Sequence, residues 1–157
     1  MRFYDRKNEL ALLRSIREEA SRVSCMTILK GRRRVGKTSL LQEAYGDRDY
    51  LYFFVARKNE ADLCVDFCQE IARYFKLTIP GKMSSFEEVF KFLLDMATRE
   101  PCTVVIDEFQ EFLRVNPSIF STMQRDWDLK KRTAKVNLIV SGSINRMMEH
   151  IFAADQP

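Results

Sequence analysis

One segment restricts the fold of this chain more than any other, the glycine-framed run from Gly31 to Thr38, which reads GRRRVGKT. A short apolar stretch, Cys25 to Leu29, precedes it, and a stretch with helical spacing follows it. Glycine allows turns that bring successive backbone N–H groups to one side, and the start of a helix adds unpaired N–H groups and a positive dipole end. The run therefore predicts a strand, an anion-binding loop and a helix, in that order.

The spacing of this run matches the phosphate-binding pattern G-x-x-x-x-G-K-[ST]. In that pattern the lysine reaches the β and γ phosphates of a nucleotide, and the hydroxyl that follows it is a ligand of Mg²⁺. We therefore predict that Lys37 is catalytic as well as nucleotide-binding and that Thr38 binds the metal ion. The predicted nucleotide-binding residues of this segment are Gly31, Arg34, Val35, Gly36, Lys37, Thr38 and Ser39.

The three consecutive arginines of the run, Arg32 to Arg34, allow more than one interpretation. They can strengthen the positive field on the phosphates, or they can contact another subunit. The simplest interpretation, which we favour, is that they project outward from a loop whose backbone does the binding. The formal net charge of the chain, +4, is mild and does not by itself predict nucleic-acid binding.

Helical and strand patterns alternate along the rest of the chain, which predicts an α/β fold. The predicted strands are residues 25–29, 50–55, 103–106 and 136–140, and the predicted helices are residues 5–20, 38–45, 60–75, 84–99, 117–131 and 144–152. All four strands are apolar throughout, as is typical of a parallel sheet that is buried on both faces. We therefore predict a three-layer P-loop NTPase core. Its polar candidate residues fall where strands end, at the edge where such sheets bind ligands.

An acidic pair, Asp107 and Glu108, ends the third predicted strand. A P-loop enzyme needs an acid at the end of a neighbouring strand to hold Mg²⁺, usually through water, and Asp107 suits that role. Glu108 suits the role of general base toward an attacking water. The pair lies 70 residues after Lys37 with one strand between. This spacing predicts an additional-strand topology with the strand order 5-1-4-3-2, in which the fifth strand is missing from this chain.

A polar turn, Ser141-Gly142-Ser143, ends the fourth predicted strand. A hydroxyl at that position can contact the γ-phosphate or the attacking water, and can so be catalytic. The alternative is a plain serine–glycine turn. Of the two serines we favour Ser143 over Ser141.

The composition, 46% hydrophobic and 31% charged, is that of an ordinary globular protein. No apolar run approaches the roughly 20 residues that a membrane span requires, and no signal-peptide pattern is present. We therefore predict a cytoplasmic location and no membrane partner.

The four cysteines, Cys25, Cys64, Cys68 and Cys102, lack a CxxC pair and are interpreted as buried free thiols of a reducing compartment.

Taken together, these motifs resemble those of the archaeal-type ATPase family, AAA+-like proteins of the STAND class. The resemblance covers nearly the whole chain and is carried by Phe3–Leu10, Gly31–Thr38, Val105–Gln110, Gln124–Asp128 and Leu138–Ser143. It implies an ATP-driven switch in which Asp107 and Glu108 take the metal and catalytic roles.

The resemblance also implies that Tyr4, Asp5 and Arg6 bind near the adenine. Family members continue into a fifth strand, a helical lid and an effector domain. We therefore interpret residues 1–157 as an AAA+-like ATPase core, with a nucleotide-proximal helix at about 5–20 and with the lid and effector absent.

Partner predictions also follow from the resemblance. The partners are nucleotide and a second copy or an effector protein, with nucleic acid suggested only by analogy with the family's effectors. Arg125 and Arg132 are candidates for an arginine that reaches a neighbouring site, although ordinary helix-surface charge is the favoured interpretation.

The leading functional prediction is Mg²⁺-dependent ATP hydrolysis that drives a conformational switch. The alternative is a non-catalytic module whose interactions depend on nucleotide. A kinase is less favoured because no acceptor site can be recognised. A GTPase is disfavoured because the chain has no Asn-Lys-x-Asp motif for guanine.

Overall fold

A computed structural model describes residues 7–30, 36–46 and 50–142, without the side chains of Lys30 and Lys37. The predicted N-terminal segment Tyr4-Asp5-Arg6, most of the phosphate loop and the predicted helix at 144–152 lie outside these residues. The position of a fifth strand next to β1, as in the predicted order 5-1-4-3-2, stays a prediction.

The described strands form one parallel sheet. They are β1 (Cys25–Lys30), β2 (Leu51–Phe54), β3 (Cys102–Asp107) and β4 (Val136–Gly142), in the spatial order β1-β4-β3-β2. This order agrees with the 1-4-3-2 portion of the predicted topology. Each crossover between parallel strands is long enough to hold helices, as parallel pairing requires.

Within the ranges that the structure describes, six α-helices connect and cover the strands. They are α1 (Lys7–Ala20), α2 (Lys37–Tyr45), α3 (Glu60–Phe75), α4 (Phe86–Arg99), α5 (Phe112–Val115) and α6 (Ser118–Lys130), and a 3₁₀ turn (Phe109–Glu111) precedes α5. None of the helices in the described ranges combines the length and the apolar character that crossing a membrane would demand.

Local sequence sets where the long helices begin. The side chain of Asn59 accepts a hydrogen bond from the backbone N–H of Asp62 at 2.8 Å and so caps α3. Ser85 accepts one from the N–H of Glu88 at 3.3 Å and caps α4, as its sequence pattern predicts. Each cap satisfies an N–H group that has no partner within its own helix.

The two faces of the sheet are covered by different helices, which gives the predicted three-layer α/β fold. Side chains of α3, α4, α5 and α6 form one cluster with Phe53, Ile106 and Val140 from the strands. Side chains of α1 and α2 form a smaller cluster with Val105 and Ile139 on the opposite face. We refer to them below as the large face and the small face.

Two details differ from the sequence-based prediction. β2 is not buried on both faces, because it is an edge strand and Phe54 at its end is 47% exposed. The predicted strand order already places this strand at the edge, but an apolar run does not show that a side chain at its end is left exposed. In addition, the chain between β3 and α6, to which the sequence-based prediction assigned no element, contains the 3₁₀ turn and α5, whose phenylalanines join the large face.

Candidate functional site

The helix after the phosphate loop begins at a glycine in a left-handed conformation. Gly36 has φ 79° and ψ 25°, a region that side chains rarely adopt, and its carbonyl accepts a hydrogen bond from the N–H of Leu40 at 2.9 Å. No described side chain caps this end of α2, and its first turn contains no acid. Thr38 and Ser39 are exposed there. The arrangement leaves first-turn N–H groups and a positive dipole end available to an anion.

The remaining predicted loop residues, Gly31, Arg34 and Val35, lie outside the described residues, as does the side chain of Lys37. Their roles stay predictions. The described chain stops at the carboxyl end of β1 and resumes just before α2.

The acid Asp107 ends β3 at this same carboxyl edge. It lies in register with Phe54 of β2 and with Ser141 of β4. Val105 and Ile139, two residues earlier in each strand, pack in the cluster with α1 and α2. Since side chains two apart in a strand share a face, Asp107 and Ser141 point to the small face, on which α2 packs.

Both carboxylate oxygens of Asp107 accept a hydrogen bond. The hydroxyl of Tyr52 donates to Oδ2 at 2.5 Å, and the backbone N–H of Glu108 donates to Oδ1 at 2.9 Å. Burial, followed by the hydrogen bond to Asp107 and the charges of the two acids, raises the pKa of Tyr52 well above its usual value. Tyr52 therefore remains a protonated donor at neutral pH.

Glu108 adopts a left-handed backbone conformation although it is not glycine, with φ 56° and ψ 41°. Such a conformation costs about 1–3 kcal/mol and often marks a functional position. Two contacts hold the turn. The side-chain Nε2 of Gln110 donates to Oε2 of Glu108 at 2.7 Å, and the fully buried Phe109 packs against Phe112 and Phe120 of the large face.

Ser141 is 1% exposed, and its Oγ has no hydrogen-bond partner among the described residues. An unpaired buried hydroxyl is costly, so this atom has unused capacity beside Asp107. An ionised carboxylate has about four acceptor positions, and the two described donors to Asp107 occupy only part of them. Together with the exposed hydroxyl of Thr38, these oxygens suit a hydrated Mg²⁺. The other candidate serine, Ser143, lies outside the described residues.

The candidate arginine Arg125 is engaged on the protein surface. It forms ion pairs with Glu87 and, at 3.5 Å, with Asp126. Lys130 pairs with Asp95 at 3.4 Å and Lys131 with Asp128 at 3.3 Å. These contacts agree with the interpretation of the region as ordinary surface charge. Arg132, the second candidate, is exposed.

The four cysteines are free thiols. Cys64 and Cys102 are buried, and burial is the main cause that raises the pKa of each to about 12. Cys25 and Cys68 are only half-buried, so the prediction of a buried thiol is wrong for these two.

The described part of the site thus holds Asp107 and Ser141 in register at the carboxyl edge of the sheet, on the face that α2 covers. Two neighbours, Tyr52 and Gln110, received no role from sequence reasoning. For Gln110 a signal existed, since it lies two residues after Glu108 at the end of a strand. For Tyr52 there was none, because its contact with Asp107 spans 55 residues.

Comparison with known proteins identifies the family and the fold. The model of a family described as "AAA domain" matches residues 24–155. The uncharacterized protein MJECL04 of Methanocaldococcus jannaschii is 30% identical over 156 residues, which are 99% of this chain and 33% of that protein. A second protein of that organism, MJ0424, is 34% identical over 56 residues, which are 36% of this chain and 54% of that protein. The chain thus spans a third to about half of the length of these relatives.

Two solved structures share the fold. The crystal structure of Cdc6p from Pyrobaculum aerophilum aligns with a TM-score of 0.65 at 20% identity, covering 99% of this chain and 42% of that one. The Walker-type ATPase PABY2304 of Pyrococcus abyssi aligns with a TM-score of 0.64 at 21% identity, covering 98% and 49%. The family match and the shared fold support nucleotide binding. This chain belongs to the AAA domain family.

Proposed function

We propose that this chain binds ATP with Mg²⁺ in the cytoplasm and hydrolyses it to drive a conformational switch, as the archaeal-type ATPases of the STAND class do. The observation that carries the proposal is topological. The phosphate-loop motif precedes α2, and Asp107 ends β3 at the same sheet edge and on the face that α2 covers. This arrangement supports a single site that combines a phosphate-binding helix start with a metal-binding acid.

In the proposed site, the backbone N–H groups of the loop and of the first turn of α2 bind the phosphates. Gly31 and Gly36 let the backbone approach, and Lys37 contacts the β and γ phosphates. Arg34, Val35 and Ser39 complete the binding segment. The Tyr4-Asp5-Arg6 segment, which would precede α1, binds near the adenine by analogy with the family.

Thr38 and Asp107 would hold the metal ion, Thr38 through its hydroxyl and Asp107 through water. Bound Mg²⁺ would neutralise charge that develops on the phosphates. Asp107 suits this task because its carboxylate is already oriented by two described hydrogen bonds and keeps acceptor capacity.

Glu108 would take the proton of the attacking water, so that hydroxide character develops as the bond to the γ-phosphorus forms and the bond to the leaving ADP oxygen breaks. Gln110, at 2.7 Å from the carboxylate, would hold it in place before and during this step. Ser143, or else Ser141, would contact the γ-phosphate or the water and report hydrolysis to the rest of the protein.

The switch needs a recipient of the conformational change. We propose that the described chain is the ATPase core and that a lid and an effector domain, or a second copy of the chain, receive the signal. Nucleic acid enters only as a possible target of such an effector.

The binding part of the proposal is tested by Lys37→Ala. We expect titration calorimetry to show that this variant loses ATP affinity, since the lysine contacts two phosphates, whereas the matched surface variant Lys82→Ala retains it. Unchanged ATP affinity in Lys37→Ala would contradict the phosphate assignment.

The catalytic part is tested by Glu108→Gln, with Glu111→Gln as the matched control three residues away. Loss of a general base typically slows the reaction by about 10²–10⁴-fold. We expect phosphate release to fall by such a factor in Glu108→Gln while ATP binding persists, and to change little in Glu111→Gln. Retained hydrolysis would remove Glu108 as the base. Binding without hydrolysis in the unaltered chain would instead favour a non-catalytic, nucleotide-dependent interaction module.

A further inference from the structure

We propose that Tyr52 is a positioning residue for the metal-binding acid, and that its hydroxyl sets the Mg²⁺ dependence of nucleotide binding and hydrolysis. The inference rests on the proposed function, because it assigns a role to a neighbour of Asp107. It concerns a residue that lies on the edge strand, outside the phosphate-loop and acidic motifs.

The geometry of the contact carries the proposal. Tyr52 lies on β2, and Asp107 lies on the adjacent strand β3, in register with Phe54 two residues further along β2. The Tyr52 hydroxyl therefore reaches along the sheet edge and donates to Oδ2 of Asp107 at 2.5 Å. An ionised carboxylate can only accept, and a protonated tyrosine can donate, so the direction of the bond is fixed.

The bond fixes which acceptor positions of Asp107 stay available. The N–H of Glu108 occupies one position on Oδ1, and Tyr52 occupies one on Oδ2. A carboxylate with one donor on each oxygen cannot rotate freely, so its remaining positions keep a constant direction. Residues that orient a metal ligand in this way typically alter metal affinity or activity about 10–100-fold when they are replaced.

Further contacts hold Tyr52 itself in place. Its backbone N–H donates to Oε1 of Glu70 on α3 at 3.2 Å, and Arg73 contacts the carboxylate of Glu70 and the carbonyl oxygen of Tyr50. The open edge of β2 is thus attached to α3 by side chains. The ring of Tyr52 packs against the small-face cluster of α1 and α2. The hydroxyl therefore extends from a strand that is fixed on both sides.

Tyr52→Phe tests the proposal because it removes the hydroxyl and keeps the ring. We expect the Mg²⁺ concentration that gives half-maximal strengthening of ATP binding in titration calorimetry to rise about tenfold, and the concentration that gives half-maximal ATP hydrolysis to rise with it. ATP affinity measured in EDTA should stay at the wild-type value, because the phosphate loop is unaltered. The matched control is Tyr74→Phe on α3, for which no change in Mg²⁺ dependence is expected.

A second comparison separates positioning from a purely structural role. In an Asp107→Asn background, adding Tyr52→Phe should change Mg²⁺ dependence no further, since the carboxylate on which it acts is gone. Tyr52→Met is a second variant without the hydroxyl, for use if Tyr52→Phe does not unfold cooperatively. If either variant folds and its half-maximal Mg²⁺ concentration is equal to or lower than that of the wild type, the inference is overturned. If instead the unaltered chain binds no ATP with or without Mg²⁺, the proposed function fails, and the two failures are distinguishable.

Discussion

The large face and the small face of the sheet differ in what they bury. The large face is covered by four helices and contains six phenylalanines that are 2% exposed or less, namely Phe53, Phe67, Phe86, Phe90, Phe109 and Phe112. The small face is covered by two helices and mixes polar groups into its packing. Asn137 is 1% exposed there and donates to the hydroxyl of Tyr45 at 3.1 Å and to Thr103 at 3.4 Å.

The difference indicates that the large face mainly stabilises the fold and that the small face positions polar groups. Apolar burial of the kind found on the large face dominates the free energy of folding. The small face instead carries the polar groups that lead up to the sheet edge, from Asn137 to Ser141 on β4 and from Thr103 to Asp107 on β3. A fold in which one face supplies stability leaves the other free to hold polar atoms at fixed positions.

The largest effect should follow from truncating the large face at its centre. Phe67 is 2% exposed, stacks on Phe53 at 4.5 Å between ring centroids, and contacts Phe86 at 5.7 Å. Phe67→Ala leaves a cavity among rigid rings, so we expect the free energy of unfolding in urea to fall by about 3–5 kcal/mol. The control is Phe54→Ala, whose side chain is 47% exposed. Equal losses in the two variants would contradict the proposed importance of the large face.

A smaller effect, on the rate of hydrolysis rather than on stability, is expected at Gln110, next to the acidic pair Asp107 and Glu108. Gln110→Ala removes the donor to Glu108 but leaves Phe109 anchored in the large face. We expect ATP hydrolysis to slow about tenfold, the equivalent of one lost hydrogen bond to a charged group. The melting temperature should change little. The substitution removes one hydrogen bond, but it also removes Oε1 of Gln110, which is buried without a partner among the described residues, and the two effects offset each other. A loss of stability without a loss of rate would show that the contact is structural.

On the small face, Tyr45→Phe should weaken the attachment of α1 and α2 to the sheet. The Tyr45 hydroxyl donates to the carbonyl oxygen of Leu13 at 3.1 Å and accepts from Asn137. Since the ring remains, we expect a loss of about 1 kcal/mol in urea unfolding. A neutral or stabilising result would mean that the polar groups of this face contribute nothing to its packing.

The smallest effect concerns surface charge next to the large face. Hydrogen bonds from Lys91 and then from Arg125 hold the pKa of Glu87 below its usual value. A lowered folded-state pKa gives stabilisation that is present above the unfolded pKa and is lost as pH falls through the folded one. Glu87→Gln should therefore slightly lower the melting temperature at pH 7 in low salt, and this difference should disappear as pH falls through the folded-state pKa of Glu87. Once Glu87 is replaced, Lys91→Gln should have no further effect; an additional loss would assign Lys91 another partner.

The parts of the fold that local pattern determines were predictable. The strand and helix boundaries agree with the described elements within a few residues, and the Ser85 cap lies where its pattern predicts it. The strand order followed from the distance between the phosphate loop and Asp107. These features depend on spacing along the chain, which the sequence contains directly.

The parts that depend on contacts between distant residues were not predictable. The apolar run did not reveal that Phe54 at the end of β2 is exposed, and nothing near Tyr52 indicated that its hydroxyl bonds to Asp107. The turn at Glu108 was missed for a related reason. Its left-handed conformation is held by Phe109 in the large face rather than by a local glycine.

The pairing of β1 with β4 has a consequence for how the chain folds as it is synthesised. These strands are joined along their length, and at their start the hydroxyl of Ser24 accepts from the N–H of Val136, 112 residues later. Closing so long a loop is entropically costly and slow. The strand that leads into the phosphate loop therefore has no described sheet partner until β4 emerges from the ribosome. We therefore expect that nucleotide added to stalled nascent chains protects the phosphate loop from protease only in chains long enough for β4 to have emerged.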